Sequence, residues 1–359
     1  MINLKEKTQR RLRNVSVTFL IICLTPLCER GRILSGAHAE NALAGKEVTC
    51  AIDLGDDMYG SHGLETGFNY ELLNRFAEDN HCSVKIVTAK KGENYLDSLK
   101  QGKVDMVITH DKASMEAEGM SILREVDECS AWALNGMDQS EIRQMNTWLG
   151  HITSTPDFEN VRNRYHGTFD PGKRAENGVT TTRVSPYDEM LKKYASTLGW
   201  DWRMLAAVVY QESKFSIGST SFRGAVGLMQ VMPQTGRYYG IEDLLDPEQN
   251  ILAGTSHLKR LQRLMSRYGF SQEELVKFTL AAYNAGEGRI MDCINFATSK
   301  EADSSKWEEI VKLIPQMRED SILEEESVKL GKFQGHETIA YVDSIMHIYR
   351  DICTICPRG

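Results

Sequence analysis

The sequence predicts an α/β unit followed by a mainly α unit. Three observations carry that reading. Short apolar strand patterns alternate with helical patterns from residue 46 to residue 165. From Ser185 onward apolar residues recur at helical spacing. Between the two lies a stretch rich in Gly, Thr and charge with no apolar periodicity. At 359 residues the chain is long enough for two cores. The expected division is 1–44 as a signal segment, 45–165 as the α/β domain, 166–184 as a linker and 185–359 as the helical domain.

The first residues read as an export signal. Lys5, Lys7, Arg10, Arg11 and Arg13 precede an apolar run from Val15 to Cys28. Fourteen residues are too few to span a bilayer as a helix but suit a signal core. Ala37 and Ala39 frame a small-x-small cleavage site; lipid attachment at Cys23 or Cys28 is the alternative. Either fate places the mature protein outside the cytoplasm, in the periplasm, or anchored to the outer membrane in the lipidated case. The formal net charge of -8 argues against a sequence-independent grip on nucleic-acid phosphates. Six cysteines follow the signal: Cys50, Cys82, Cys129, Cys293, Cys353 and Cys356. The last two have metal-knuckle spacing, but neither a second such pair nor clustered histidines accompany them, so no metal is expected.

In the first unit, strands are expected at Lys46 to Ile52, Val84 to Val87 and Val104 to Thr109. Helices are expected at Gly67 to Asn80, with Phe68, Leu72, Leu73 and Phe76 on one face, and at Tyr95 to Gln101. That alternation implies parallel strands with right-handed crossovers. A strand at Ala131 to Leu134 and a helix at Ile142 to Leu149 close the unit. Gly67-Phe68-Asn69-Tyr70-Glu71-Leu72, the turn Leu99 to Val107, and that closing pair resemble the extracellular solute-binding proteins of amino-acid transport. Those proteins have two lobes, whereas only about 25 residues here separate the third strand from the closing one, too few for a second core of ~50 residues. A single lobe is expected, serving to dock on the helical domain or on an envelope partner rather than to bind a ligand.

In the second unit, Ser185-Pro186 reads as an N-cap with proline at the first helical position. Helices are expected from Trp202 to Val209, Asn250 to Tyr268, Leu275 to Asn284 and Glu337 to Tyr349. Glu212 follows the apolar stretch Leu205 to Tyr210. Desolvation there raises a carboxyl pKa, and a carboxyl still protonated near neutral pH can donate to a leaving oxygen. Gly224 and Gly227 permit close backbone approach, and Gln230 can both donate and accept. Glu337 and Tyr341 are four apart and share a helix face.

Four motifs stand in order: Glu212-Ser213, then Gly227-Leu228-Met229-Gln230, then Ala282-Tyr283-Asn284-Ala285-Gly286, then Glu337-Thr338 with Tyr341-Val342. Together they resemble the lytic transglycosylases of lysozyme-like fold. The preceding solute-binding-like lobe narrows the resemblance to the membrane-bound lytic murein transglycosylase F group. The resemblance implies an enzyme that cuts the MurNAc–GlcNAc bond of peptidoglycan glycan strands without a cofactor and leaves a 1,6-anhydro end. It implies Glu212 as the catalytic acid and base. Ser213, Ser221, Met229, Gln230, Tyr283, Asn284, Glu337 and Tyr341 are implied around the sugar. No Asp or Glu lies between Ser213 and Tyr239, which fits a single-carboxylate mechanism. The rival readings are a sensor that binds muropeptides or amino acids without cutting, and a lysozyme-like hydrolase that leaves reducing ends.

Overall fold

In a computed structural model, the described residues are 41–357, except 55–61, 89–93, 125, 127–129, 166–168, 320–321, 323–327 and 331–332. The leader and Cys129 fall outside them.

The first unit is built on strands β1 (Glu47–Asp53), β2 (Ser83–Thr88), β3 (Met106–Thr109), β4 (Ser121–Ile122) and β5 (Ala131–Leu134). Their order in the sheet is β2-β1-β3-β5-β4. Helices α1 (His62–Asn80) and α2 (Tyr95–Lys100) are the crossovers that let β1 pair parallel with β2 and β3. The three alternating strands are parallel as expected, and the closing strand β5 reverses. Among the described residues the short helix α3 (Lys112–Ala117) and β4 are what intervene before β5, so the chain doubles back and β5 pairs antiparallel with both β3 and β4. The sheet is therefore mixed.

Strand alternation sorts side chains to two faces. Val48, Cys50, Ile52, Met106, Ile108 and Trp132 meet the apolar face of α1. Helix α4 (Gln139–Ile152) covers the same side with Met145, Trp148 and Leu149. Ala51, Val107 and Ala133 point the other way, against Tyr95, Leu99 and Met115. The turn before β3 has a specific task. Gly102 takes φ +66°, which ends α2, and Asp105 accepts the Thr49 amide at 2.8 Å, which fixes β1 beside β3.

Helix α5 (Pro156–Tyr165) carries the chain out of this unit. The stretch 166–184, expected as a structureless linker, contains helix α6 (Pro171–Glu176), capped by Asp170. It packs on α14 (His336–Ile355). The Thr181 amide then donates to the Ile355 carbonyl at 2.7 Å, so the segment is a strap laid on the helical unit. Proline at its start and an aspartate before it were the signals of the helix.

The helical unit comprises α7 (Asp188–Leu198), α8 (Trp202–Ser213), α9 (Pro233–Tyr238), α10 (Pro247–Met265), α11 (Gln272–Ala285), α12 (Glu287–Ser299), α13 (Trp307–Leu313) and α14. Helix α8 is its centre, with every residue from Arg203 to Val209 buried between α7 and α14. Ser185 and Pro186 stand outside α7, contrary to expectation. The reason is Asp188, whose carboxylate accepts the Val184 and Ser185 amides at 2.8 Å each and the Ser185 hydroxyl at 2.7 Å. Those bonds fold the preceding residues back across the helix start.

The two units share one continuous apolar core. Tyr165 packs edge-on to Phe68 at 6.4 Å and to Tyr187 at 6.3 Å. Gly67 makes this approach possible: a Cβ there would lie 2.7 Å from the Tyr165 ring and 2.8 Å from the Tyr187 oxygen. One residue earlier, Thr66 presses on Gly218, where a Cβ would lie 2.8 Å from its methyl carbon. Gly67→Val should therefore destabilise the protein by about 1–3 kcal/mol through overpacking, read as a lower urea midpoint. An unchanged midpoint would show that α1 does not rest on these tyrosines.

Candidate active site

Helix α8 begins with Asp201, whose carboxylate caps the Arg203 amide at 3.0 Å and pairs with its guanidinium at 2.6 Å. It ends abruptly, because Lys214 and Phe215 both take positive φ, 52° and 65°. Two successive left-handed residues without glycine are strained, and packing must hold them there. Phe215 is fully buried against Tyr210 at 5.6 Å, which supplies that packing. Glu212 is thus presented in the last turn of α8, half-buried, beside the loop that follows.

That loop, Gly218 to Val231, is closed by backbone bonds. Val226 and Val231 exchange amides at 3.0 Å, and the Gly227 amide reaches the Ser219 carbonyl at 2.8 Å. Asn250, buried on α10, pins it. Its Nδ2 donates to Val226 O at 2.9 Å and Leu244 O at 2.8 Å, while its Oδ1 accepts the Met229 amide at 2.8 Å. Gly227, at φ +78°, clears the way; a Cβ there would lie 2.3 Å from Asn250 Nδ2.

Two helices bring sequence motifs towards Glu212. From α14, the Tyr341 hydroxyl donates to Glu212 Oε1 at 2.5 Å. From α11, the Tyr283 hydroxyl donates to the Met229 carbonyl at 2.8 Å. Burial pushes the Glu212 pKa up to about 7, and the Tyr341 hydrogen bond pulls it partway back. Tyr341 itself is raised far above the usual phenol range, by burial first and then by the Glu212 charge. Tyr283 is raised likewise, with the Glu212 charge second to burial. Both phenols therefore stay protonated at any ordinary pH.

The remaining expected residues divide into two groups. Ser221, Gln230 and Asn284 lie where a ligand could reach them. Ser221 Oγ accepts the Ala225 amide at 2.9 Å, and Asn284 Oδ1 accepts from Thr338 at 2.8 Å. Gln230 is half-buried with φ 47°; its Nε2 already donates to Ser219 O and Gly227 O, at 2.9 and 3.1 Å. Ser213 and Met229 face inward. Ser213 is fully buried and its hydroxyl donates to Leu228 O at 2.9 Å, tying α8 to the loop. Met229 is fully buried against Gly254, a volume that leaves no room for a substrate. Glu337 is exposed in the first turn of α14, one turn from Tyr341.

The structure adds residues that were not among the expected site residues. Met232 is 42% exposed just ahead of α9, on the solvent side of the loop whose Met229 is buried. The signal was Pro233, which forces the residue before it into extended backbone. Thr338 and Ser344 on α14 hold Asn284 and Gln211, the latter at 2.6 Å. Among the described residues no group of three or more His, Cys, Asp or Glu side chains is placed to hold a metal ion. Cys353 and Cys356 are not joined by a disulfide. Cavities of about 460 and 810 Å³ open elsewhere, one lined by Trp200, Met204 and Tyr349 and the other by Thr181, Lys192 and Trp202; neither includes Glu212.

Residues 189–306 match the family described as "Transglycosylase SLT domain". Three curated relatives share the name "Membrane-bound lytic murein transglycosylase F". That of Desulfosudis oleivorans is 30% identical over 230 residues, covering 63% of this chain and 50% of the relative. That of Pseudomonas fluorescens is 29% identical, covering 62% and 46%, and that of Vibrio cholerae 29%, covering 63% and 43%. The chain thus spans half or less of these relatives' length. The 70 kDa soluble lytic transglycosylase of Escherichia coli is 23% identical, with a TM-score of 0.35, over 61% of this chain and 31% of its own. The resemblance to lytic transglycosylases read from the motifs is the one that the family model and the curated relatives return. The matched range contains Glu212, Ser221, Gln230 and Asn284; Glu337 and Tyr341 lie beyond it.

The raised Glu212 pKa has two measurable consequences. If the protonated form acts, kcat/KM should fall as pH rises through about 7. Tyr341→Phe removes the bond that favours the carboxylate, so this fall should move to higher pH. For stability the sign is fixed by linkage: the folded pKa lies above the unfolded one, so the native state favours the proton. The contribution is full below about 4.5 and is lost as pH rises through about 7. Glu212→Gln should then be more stable than the parent above pH 7, by on the order of 1–3 kcal/mol. The two should converge near pH 4 in urea titrations. A constant gap across pH would mean that Glu212 titrates normally.

Proposed function

We propose that this chain is an exported lytic transglycosylase that cuts the MurNAc–GlcNAc bond of peptidoglycan. The observation that carries the reading is the half-buried Glu212, with a pKa of about 7, gripped by Tyr341 and set beside the loop of Ser221 and Gln230. Such an acid is populated in both protonation states at neutral pH, as a group that first gives and then retrieves a proton must be. The SLT match and the names of the curated relatives support it.

The chemistry needs one carboxyl. Glu212 gives its proton to the glycosidic oxygen as the bond from the muramyl C1 breaks. The departing sugar keeps that proton as a hydroxyl. Glu212, now a carboxylate, takes the proton of the muramyl C6 hydroxyl, and that oxygen bonds to C1. The product is a 1,6-anhydro ring, no water is consumed, and Glu212 ends protonated. The Tyr341 hydrogen bond stabilises the intervening carboxylate. A hydrolase would have a second carboxylate to hold a nucleophile or a water. Among the described residues, burial and Tyr341 are what act on the Glu212 pKa; no second carboxylate joins them.

The helical unit fits a lysozyme-like domain and the first unit a single solute-binding-like lobe, the latter on its crossovers and the Gly102–Asp105 turn. Its place against Gly218 and Tyr187 suits a lobe that docks on the catalytic unit. The basic and apolar leader, with the names of the relatives, supports a periplasmic, membrane-associated enzyme. Lipid anchoring to the outer membrane and an envelope partner for the lobe extend that reading.

Digestion of purified sacculi tests the core of it. The full chain should release fragments with 1,6-anhydro ends, one water lighter than reducing ends by mass spectrometry. Glu212→Gln should lose on the order of 10²-fold or more in rate while keeping its fold. Reducing ends would make the protein a hydrolase, and binding to sacculi without release would make it a sensor.

A further inference from the structure

Beyond Tyr283, a row of side chains leads away from Glu212 and has no part in the reaction just described. The ring of His257, on α10, lies 5.6 Å from that of Tyr283. Tyr239 Oη is 3.4 Å from His257 Nδ1. One turn further along α10, Arg260 donates from Nη2 to Glu287 Oε1 at 2.6 Å. Glu287 opens α12 three residues after Asn284, so the row ends beside the motif that carries Tyr283. The Arg260 side chain is 40% exposed.

An ion pair this exposed adds little to stability, so the fold does not require it. Its geometry is what matters. A guanidinium has five donors. Among the described residues only Nη2 of Arg260 is engaged by a side chain, which leaves an edge free to take a second carboxylate in the two-bond manner. His257 does not compete as a cation, because burial, and then the Arg260 charge, lower its pKa. Tyr239 supplies a ring and a hydroxyl beside the guanidinium, a surface suited to a sugar face. The muramyl residue of the proposed substrate is the sugar that bears acid groups, either a free lactyl carboxylate or those of a peptide attached to it.

We propose that Arg260 is a substrate-binding residue that takes a carboxylate borne by a muramyl residue on the edge that Glu287 leaves open. The inference rests on the transglycosylase reading for the identity of the ligand. Binding separates the two. In the Glu212→Gln chain, calorimetry would compare Arg260 with Arg260→Gln on three soluble glycans: peptide-bearing, stripped of peptide so that the lactyl carboxylate is free, and stripped then amidated. Arg260→Gln should weaken binding by about tenfold on a carboxylate-bearing glycan and leave the amidated one unchanged. A loss confined to the peptide-bearing glycan identifies the peptide as the source, and one confined to the stripped glycan the lactyl group. Glu287→Gln should bind as tightly as the parent or more so, since it frees the guanidinium. Equal affinities with and without Arg260 overturn the proposal. So does a Glu287→Gln loss matching that of Arg260→Gln, which would mark the pair as a brace. Sacculus cutting by the parent chain is scored separately, so a protein that binds through Arg260 but cuts nothing would refute the transglycosylase reading alone.

Discussion

The amide of Asn250 is the fixed point of the site. It is fully buried and spends both of its polar atoms on the backbone of the loop that follows Glu212. An unmet amide in that position would cost about 1–3 kcal/mol, so loop and helix are locked to each other. Everything else is measured from there. Gly227 must lack a side chain because Asn250 occupies its space. The Met229 carbonyl is held at the right height to receive Tyr283, and the Leu228 carbonyl to receive Ser213. The acid therefore stands on α8, but its distance from the loop is set by α10.

Electrostatics depend on a different helix. One face of α14 reaches three side chains on two helices: Thr338 to Asn284 on α11, and Tyr341 to Glu212 and Ser344 to Gln211 on α8. Of these only Tyr341 touches the acid, and it opposes the effect of burial. A carboxyl with burial alone would be too weak an acid to shed its proton at neutral pH. A well-solvated one would never hold it. The phenol places Glu212 between those extremes.

Much of this was legible in the sequence, and the exceptions have a physical pattern. The short strand pattern from Lys46 to Ile52 gave β1, and helical spacing gave the buried face of α1. Glu212 was singled out by the four motifs in order, and its place at the end of an apolar helix has a definite consequence for its pKa. The sheet's reversal at β5 was not, because four apolar residues in a row look alike in either direction. Helix α6 was hidden by its composition, since its packing comes from α14, far along the chain. Ser213 and Met229 mark another limit. A motif shows that a residue type is constrained, not whether a substrate or a neighbouring backbone does the constraining. Both proved to serve the backbone.

The position of Tyr341 also sets an order of events in synthesis. It comes 129 residues after the acid that it touches. At roughly 5–20 residues per second, a ribosome adds it about 6–26 s later. Until then Glu212 has no phenol, Asn284 no threonine, and α8 lacks one of the helices that bury it. A chain still being made, or one cut short before residue 336, has the acid in its sequence but not the environment that tunes it. The acid and the phenol that tunes it come together only once α14 has been made.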